Sequence, residues 1–409
     1  MKRFFCLSLL FCLLCGCHQA PEQMPTVNES APVPTASSTV ETESTQPESV
    51  QDETAPAEEI IPSEETSAST EPEFDPYTLV YQMSVEELVG QLFLARCPSD
   101  STAIADIQEY HLGGYILFGR DFENRSADTV RATIADYQNV SEIPMLIAVD
   151  EEGGTVCRVS SQAAFREKRF LSPRKLYAEG GLSLVLETEA EKCQLLLSAG
   201  VNVNMAPVCD VTTDPNAFMY SRSLGQSPET TAEYIASVTA LMQEYQVGSV
   251  LKHFPGYGNN SDTHVGIATD HRSLAELECS DLTPFRAGIQ AGCGAILVSH
   301  TFVNCLDSQY PASLSPSVIG YLRNDMGFSG VIVTDDLVMQ AITDLYGTEE
   351  AAVLAVLAGN DLLCCSEYQR QYAAVLDAVI SGRIPLEQVQ ASAARILQWK
   401  YDLGLLVGA

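Results

Sequence analysis

The chain has 409 residues, with 54 acidic against 22 basic side chains and a formal net charge of -32. A protein this negative repels a phosphate backbone, so nucleic acid is excluded as a partner. The imbalance is not confined to one segment: residues 18–76 hold 14 acids and no Lys or Arg, and the remainder without Lys2 and Arg3 still holds 40 acids against 20 bases.

Residues 1–17 read as a signal peptide, with Lys2 and Arg3 followed by an apolar core from Phe4 to Leu14 and small residues before a cysteine. That core is too short to span a bilayer as a helix. Leu14-Cys15-Gly16-Cys17 matches a lipobox, which predicts Cys17 as the lipidated first residue of the mature chain and an extracytoplasmic, membrane-anchored location. Simple cleavage and release is the alternative. Residues 18–76, made of Glu, Pro, Ser and Thr, cannot bury a core and are predicted to be a disordered acidic linker. One acyl chain binds a membrane only marginally; the diacylated N-terminus of bacterial lipoproteins would hold it firmly.

Past residue 84, short β-rich apolar runs alternate with longer segments of helical period, the pattern of repeated βα units. Strands are predicted over Gln91 to Cys97, Gly114 to Phe118, Pro144 to Asp150, Val201 to Pro207, Ser249 to His253, Ala295 to His300, Gly330 to Asp335 and Asp361 to Cys365. Helices are predicted over Thr230 to Tyr245, Leu282 to Ala291 and Glu349 to Ala358, with Leu386 to Leu406 closing the fold. Eight strands predict an α/β class and a single (β/α)8 TIM-type barrel over residues 77–409. Nine cysteines follow the export segment, an odd number lying mostly in apolar runs without metal-ligand spacing, and they read as core thiols. Unpaired thiols in an exported protein point to a reducing or anaerobic habitat, with a disulfide or two as the alternative.

In such a barrel the site lies at the C-terminal ends of the strands. Asp150, Lys252, His253, His300 and Asp335 stand at the ends of predicted strands, and Asp210 follows the fourth. The run Lys252-His253-Phe254-Pro255-Gly256-Tyr257-Gly258 leaves the fifth strand and is followed by Asp262-Thr263-His264. Taken alone, Lys252 is equally a solvated strand end and Asp262/His264 an ordinary Asx turn, while Asp210 and Asp336 are equally helix caps. Alternation turns Asp336 away from the side that Asp335 faces.

This run resembles the KHFPGHG signature of glycoside hydrolase family 3, in its β-N-acetylglucosaminidase branch. Four further blocks are similar and stand in the family's order: Ala148 to Gly154 with Arg158, Asn204 to Asp210, Ser221 to Gly225, and Gly330 to Leu337. The resemblance implies a retaining exo-β-N-acetylhexosaminidase acting on N-acetylglucosamine-containing glycans such as cell-wall fragments, with no metal or organic cofactor. It implies Asp335 as nucleophile, His264 as acid/base oriented by Asp262, and Asp150, Arg158, Arg222, Lys252 and His253 as the residues binding the sugar. Arg158 is equally the structural partner of a nearby acid. Two departures stand out: Tyr257 replaces the second His of the signature, and three residues separate Gly258 from Asp262 where the family commonly has four. No second α/β domain follows Leu406 to lend an acid, which favours the His-loop branch. A His acid/base also admits phosphorolysis, because it repels phosphate less than a Glu would. A weakly catalytic sugar-binding lipoprotein is the reading from another class.

Overall fold

A computed structural model describes residues 74–258 and 266–406. The signal peptide, Cys17 and nearly all of the linker, as well as Asp262 and His264, lie outside the described residues.

All eight predicted strands form, with slightly different ends: β1 (Phe93–Arg96), β2 (Gly114–Leu117), β3 (Leu146–Val149), β4 (Val203–Asn204), β5 (Gly248–Phe254), β6 (Ala295–Val298), β7 (Val331–Thr334) and β8 (Leu363–Cys365). Every neighbouring pair is parallel and the spatial order is β7-β6-β5-β4-β3-β2-β1-β8. The seam between β7 and β8 is bridged at Val333 and Leu362, where Leu362 N–H donates to Ile332 O at 3.0 Å and Thr334 N–H to Leu362 O at 3.0 Å. The sheet is thus a nearly closed barrel with helices outside it, the TIM-type architecture that the βα alternation predicts. The strands read as continuous apolar runs because both faces are covered, and β2, β3, β6 and β7 are buried throughout.

The predicted fourth strand, Val201 to Pro207, shrinks to two residues, because Pro207 has no N–H for a ladder. Backbone bonds still flank it, from Met205 N–H to Val149 O at 2.8 Å and from Val250 N–H to Ala206 O at 2.9 Å, and side chains add to them. Asn202 Oδ1 accepts from Ile147 N–H at 2.8 Å and Asn204 Oδ1 from Glu151 N–H at 3.0 Å, with Asn204 Nδ2 returning a bond to Glu151 O at 3.2 Å. These bonds fasten the chain just past β3, where Asp150 and its neighbours stand.

Helix starts are marked by serine caps, as at Ser84, Ser126 and Ser227. The terminal helix runs Leu386–Asp402 and stops short of Leu406, because Gly404 turns to φ +70° and Leu405 N–H caps Lys400 O. Of the nine cysteines seven are buried; Cys279 and Cys305 are exposed, since each falls in a turn beside a helix or strand end and not within a core run. Among the described residues no helix is long and apolar enough to cross a membrane.

Candidate active site

The C-terminal mouth of the barrel opens into a cavity of about 590 Å³, within the range of small-ligand sites. Every strand supplies part of its wall: Arg96 from β1, Phe118 after β2, Asp150 after β3, Met205 after β4, Lys252 and His253 from β5, Leu297 from β6, Asp335 and Asp336 after β7, and Ser366 after β8. Asp150, Arg158, Arg222, Lys252, His253 and Asp335, six of the predicted site residues, therefore meet in one space.

Consecutive strand residues normally face opposite ways, yet Lys252 and His253 both line the cavity. The register of β5 shifts between Leu251 and Phe254, and such a bulge re-aims side chains; the Lys252–His253 peptide is cis. Gly256 follows at φ +112°, and a Cβ there would lie 2.4 Å from Asp281 Oδ1, so only glycine lets the loop pass that buried carboxylate.

The polar side chains form one chain of contacts. Asp210 Oδ2 accepts from His253 Nδ1 at 2.8 Å and from His253 N–H at 3.2 Å, while its Oδ1 accepts from Tyr257 N–H at 2.8 Å. His253 Nε2 lies 3.0 Å from Arg222 Nη2. Guanidinium only donates and this carboxylate only accepts, so His253 is held as the neutral Nδ1–H tautomer. Arg222 reaches Glu152 through Nε at 2.9 Å and Nη2 at 2.7 Å. Lys252 Nζ sits 2.6 Å from Glu152 and 2.8 Å from Asp150, whose other oxygen meets Arg158 at 3.3 Å.

Burial opposes ionisation of Glu152, but Arg222 and Lys252 outweigh it and hold the carboxyl well below the usual carboxylate range. For Asp150 burial acts likewise, and Lys252 and Arg158 again prevail and lower it. Desolvation would lower Lys252; Asp150 and Glu152 instead raise it. Asp150, Glu152, Arg222 and Lys252 are therefore charged at neutral pH beside the neutral His253, an array of carboxylate acceptors and cationic donors facing one cavity.

Asp335 stands apart from this network. Its Oδ1 accepts from Asp336 N–H at 2.9 Å and its own N–H donates to Val298 O at 3.0 Å, and among the described residues no cation pairs with it. Asp336 departs from expectation by lining the same cavity, because the chain has left the strand after Thr334 and alternation no longer applies. Its carboxylate is occupied, accepting from Ser366 Oγ at 2.6 Å and from the N–H groups of Ser366 and Val338 at 3.2 Å each, and burial pushes its pKa up.

Asp210, equally a helix cap on sequence, orients His253 instead. Glu152 was not singled out by sequence reasoning; its signal was the two-residue spacing from Asp150, and its partners Arg222 and Lys252 lie far along the chain. Glu151 faces the other way and accepts from the N–H groups of Arg158 and Val159 at 2.8 Å each, fixing the hairpin that returns Arg158 to the cavity. Tyr257 is buried in the wall and packs edge-on against His253, ring centroids 5.3 Å apart. His300 is buried, its Nε2 donating to Asp336 O at 3.0 Å. Among the described residues, Glu87, His111 and Glu142 form a group with ligand atoms within 4.8 Å of one another. It lies before β1, β2 and β3, at the opposite end of the barrel, and Glu87 already accepts from Ser84 N–H in a capping box.

The profile of the glycosyl hydrolase family 3 N terminal domain matches residues 84–399. Beta-hexosaminidase LpqI of Mycobacterium tuberculosis is 31% identical over 330 residues, covering 78% of this chain and 83% of that protein. A solved glycoside hydrolase family 3 beta-N-acetylglucosaminidase from Paenibacillus sp. str. FPU-7 superposes with a TM-score of 0.74 at 32% identity, over 80% of this chain and 64% of that one. The M. tuberculosis LpqI structure gives a TM-score of 0.73 at 28% identity, over 80% of this chain and 96% of that one. The chain thus spans less than two thirds of the Paenibacillus enzyme.

Proposed function

The chain belongs to glycosyl hydrolase family 3 and is a glycosidase, and from that premise we propose that it is an exo-acting, retaining β-N-acetylhexosaminidase. It removes terminal β-linked N-acetylglucosamine from cell-wall fragments or related glycans. The observation that carries this reading is the division of the cavity: a charged clamp of Asp150, Glu152, Arg222 and Lys252 on one side, and on the other a carboxylate with no cationic partner among the described residues, Asp335, after β7.

In this reading the clamp holds the sugar ring by its hydroxyls and the Asp335 carboxylate attacks the anomeric carbon. His264, oriented by Asp262, gives its proton to the leaving oxygen, so that a covalent glycosyl-enzyme forms as the aglycone departs. His264 then takes a proton from water as that water attacks the same carbon, releasing Asp335 and the sugar with its configuration retained. Product release into deuterated buffer, followed by NMR of the anomeric proton, tests this: initial formation of the α-anomer would sink the retaining mechanism.

The same chain is proposed to act outside the cytoplasm, tethered by lipid on Cys17. The lipobox and the acidic linker support this. Detergent-phase partitioning of a Cys17→Ser chain checks it, with unchanged partitioning after signal cleavage counting against it.

A further inference from the structure

Behind the cavity wall, at the base of the turn that follows β5, Arg272 joins two buried carboxylates. Its Nε lies 3.1 Å from Asp270 Oδ1 and its Nη2 2.6 Å from Asp270 Oδ2, while Nη1 donates to Asp281 Oδ2. Asp270 and Asp281 are 2% and 0% exposed, so the guanidinium is what offsets their desolvation. None of the three borders the cavity.

Both carboxylates are fixed from elsewhere in the barrel. Thr269 and Asp270 pair in parallel with Phe302 and Val303, just past β6, and Asp270 O accepts from Asn304 N–H at 3.0 Å. Asp281 precedes the helix Leu282–Gln290, which docks on β5 through Phe285 and Phe254, edge to face with ring centroids 5.2 Å apart. Arg272 therefore ties the chain beside β6 to the helix that covers β5.

The turn after β5 rests on this cluster. A Cβ on Gly256 would lie 2.4 Å from Asp281 Oδ1, an oxygen buried without a hydrogen-bond partner among the described residues, and a Cβ on Gly258 would lie 2.6 Å from Arg272 Nη2. Both glycines have positive φ, +112° and +54°. Groups packed this closely transmit a displacement from one to the next. What the turn carries belongs to the site. Gly256 N–H donates to His253 O at 2.7 Å, Tyr257 N–H donates to Asp210 Oδ1 at 2.8 Å, and the Tyr257 ring packs on that of His253.

We propose that Arg272 is a positioning residue for the sugar clamp: by holding Asp281 against Gly256 and its own guanidinium against Gly258, it sets the place of the turn and, through Asp210 and Tyr257, the orientation of the His253 ring. This rests on the glycosidase reading given above, in which His253 belongs to the clamp. Arg272 acts only through these neighbours and does not itself line the cavity.

The test uses the full chain, an aryl N-acetyl-β-glucosaminide and the ring ¹⁵N shifts of His253. Arg272→Gln removes the charge that holds Asp281. KM should rise about tenfold with kcat within about threefold of the parent, and the His253 signals should move. Arg272→Lys keeps the charge but not the planar fork and should recover part of both. Gly258→Ala leaves all three ionic groups in place and presses a methyl group on Nη2; KM and the His253 signals should shift in the same direction. Thermal melting identifies any variant that does not fold, and the remaining ones then carry the test. Parental KM and parental His253 signals in the variants that fold overturn the proposal. So does a loss of kcat and stability with the His253 signals unmoved, the mark of a purely structural cluster. A parent chain that cleaves no such glycoside would defeat the glycosidase reading, while the His253 spectrum would still decide whether Arg272 governs that ring.

Discussion

Asp210 accepts the Nδ1 hydrogen of His253 at 2.8 Å, and this contact fixes which ring nitrogen faces Arg222. Asp210 also accepts from two backbone N–H groups. Asn has one acceptor oxygen for these three donors and brings a donor of its own. Asp210→Asn should release the tautomer, turn Arg222 from its place, and reduce kcat/KM about tenfold to a hundredfold, chiefly through KM. Ring ¹⁵N shifts of His253 check the tautomer; an unchanged spectrum with full activity would show the contact to be incidental.

Asp335→Asn should nearly abolish turnover while leaving sugar binding and thermal stability close to the parent. The substitution removes the attacking charge and almost no volume, and losing a covalent catalyst usually costs several orders of magnitude. Residual activity above a few per cent would assign the nucleophile elsewhere.

Glu152→Gln addresses the charged network. Glu152 is buried and contacts both Arg222 and Lys252, and removing one partner from a buried ion pair costs about 3–5 kcal/mol. The folded pKa of Glu152 is depressed, so its contribution to stability is present above the ordinary carboxylate value and lost as pH falls below it. At pH 7 the variant should melt well below the parent, and the gap should narrow as the pH is lowered past about 4. Melting curves at several pH values decide; a gap independent of pH would contradict the assignment.

His264→Ala should impair cleavage of natural disaccharides far more than of activated aryl glycosides, which depart with little protonation. Asp262→Ala should show the same dependence more mildly. Equal losses on both substrate types would mean that the proton comes from another group.

Lys400 tests the barrel floor. It is buried in the terminal helix, its Nζ donates to Gln91 Oε1 at 2.7 Å, and burial pushes its pKa down to about 7. Between that value and its ordinary value near 10.5, the unfolded chain binds a proton that the folded chain does not, so stability rises with pH there by about 1.4 kcal/mol per unit. The advantage of Lys400→Met over the parent should therefore be greatest at pH 7 and shrink toward pH 10, as measured by denaturant titration. An advantage that is constant or grows with pH would refute the buried, uncharged lysine.

How far the sequence reads is visible in particular residues. Strand positions such as Gly114 to Leu117 and Val331 to Thr334 were legible because burial on both faces of a parallel sheet writes itself locally, as a short apolar run between turn signals. The same locality marks the strand ends, so Asp150, Lys252, His253 and Asp335 are legible in the sequence as residues of the barrel mouth. Asp336 was misplaced on the same logic: alternation holds only while the chain stays in the strand, and the strand ends at Thr334.

Tertiary structure alone decided the partners. Glu152 is 70 residues from Arg222, and Asp210 is 43 from His253; no local period encodes such pairings, which exist because barrel closure brings strands β3, β4 and β5 side by side in one register. The sequence determined that a polar, acid-bearing rim would stand at one end of eight strands. Which carboxylates are neutralised by cations, and that Asp335 and Arg96 are left on the cavity wall without ionic partners among the described residues, followed only from the three-dimensional packing, because counter-ion choice depends on distances of a few ångströms between residues remote in the chain.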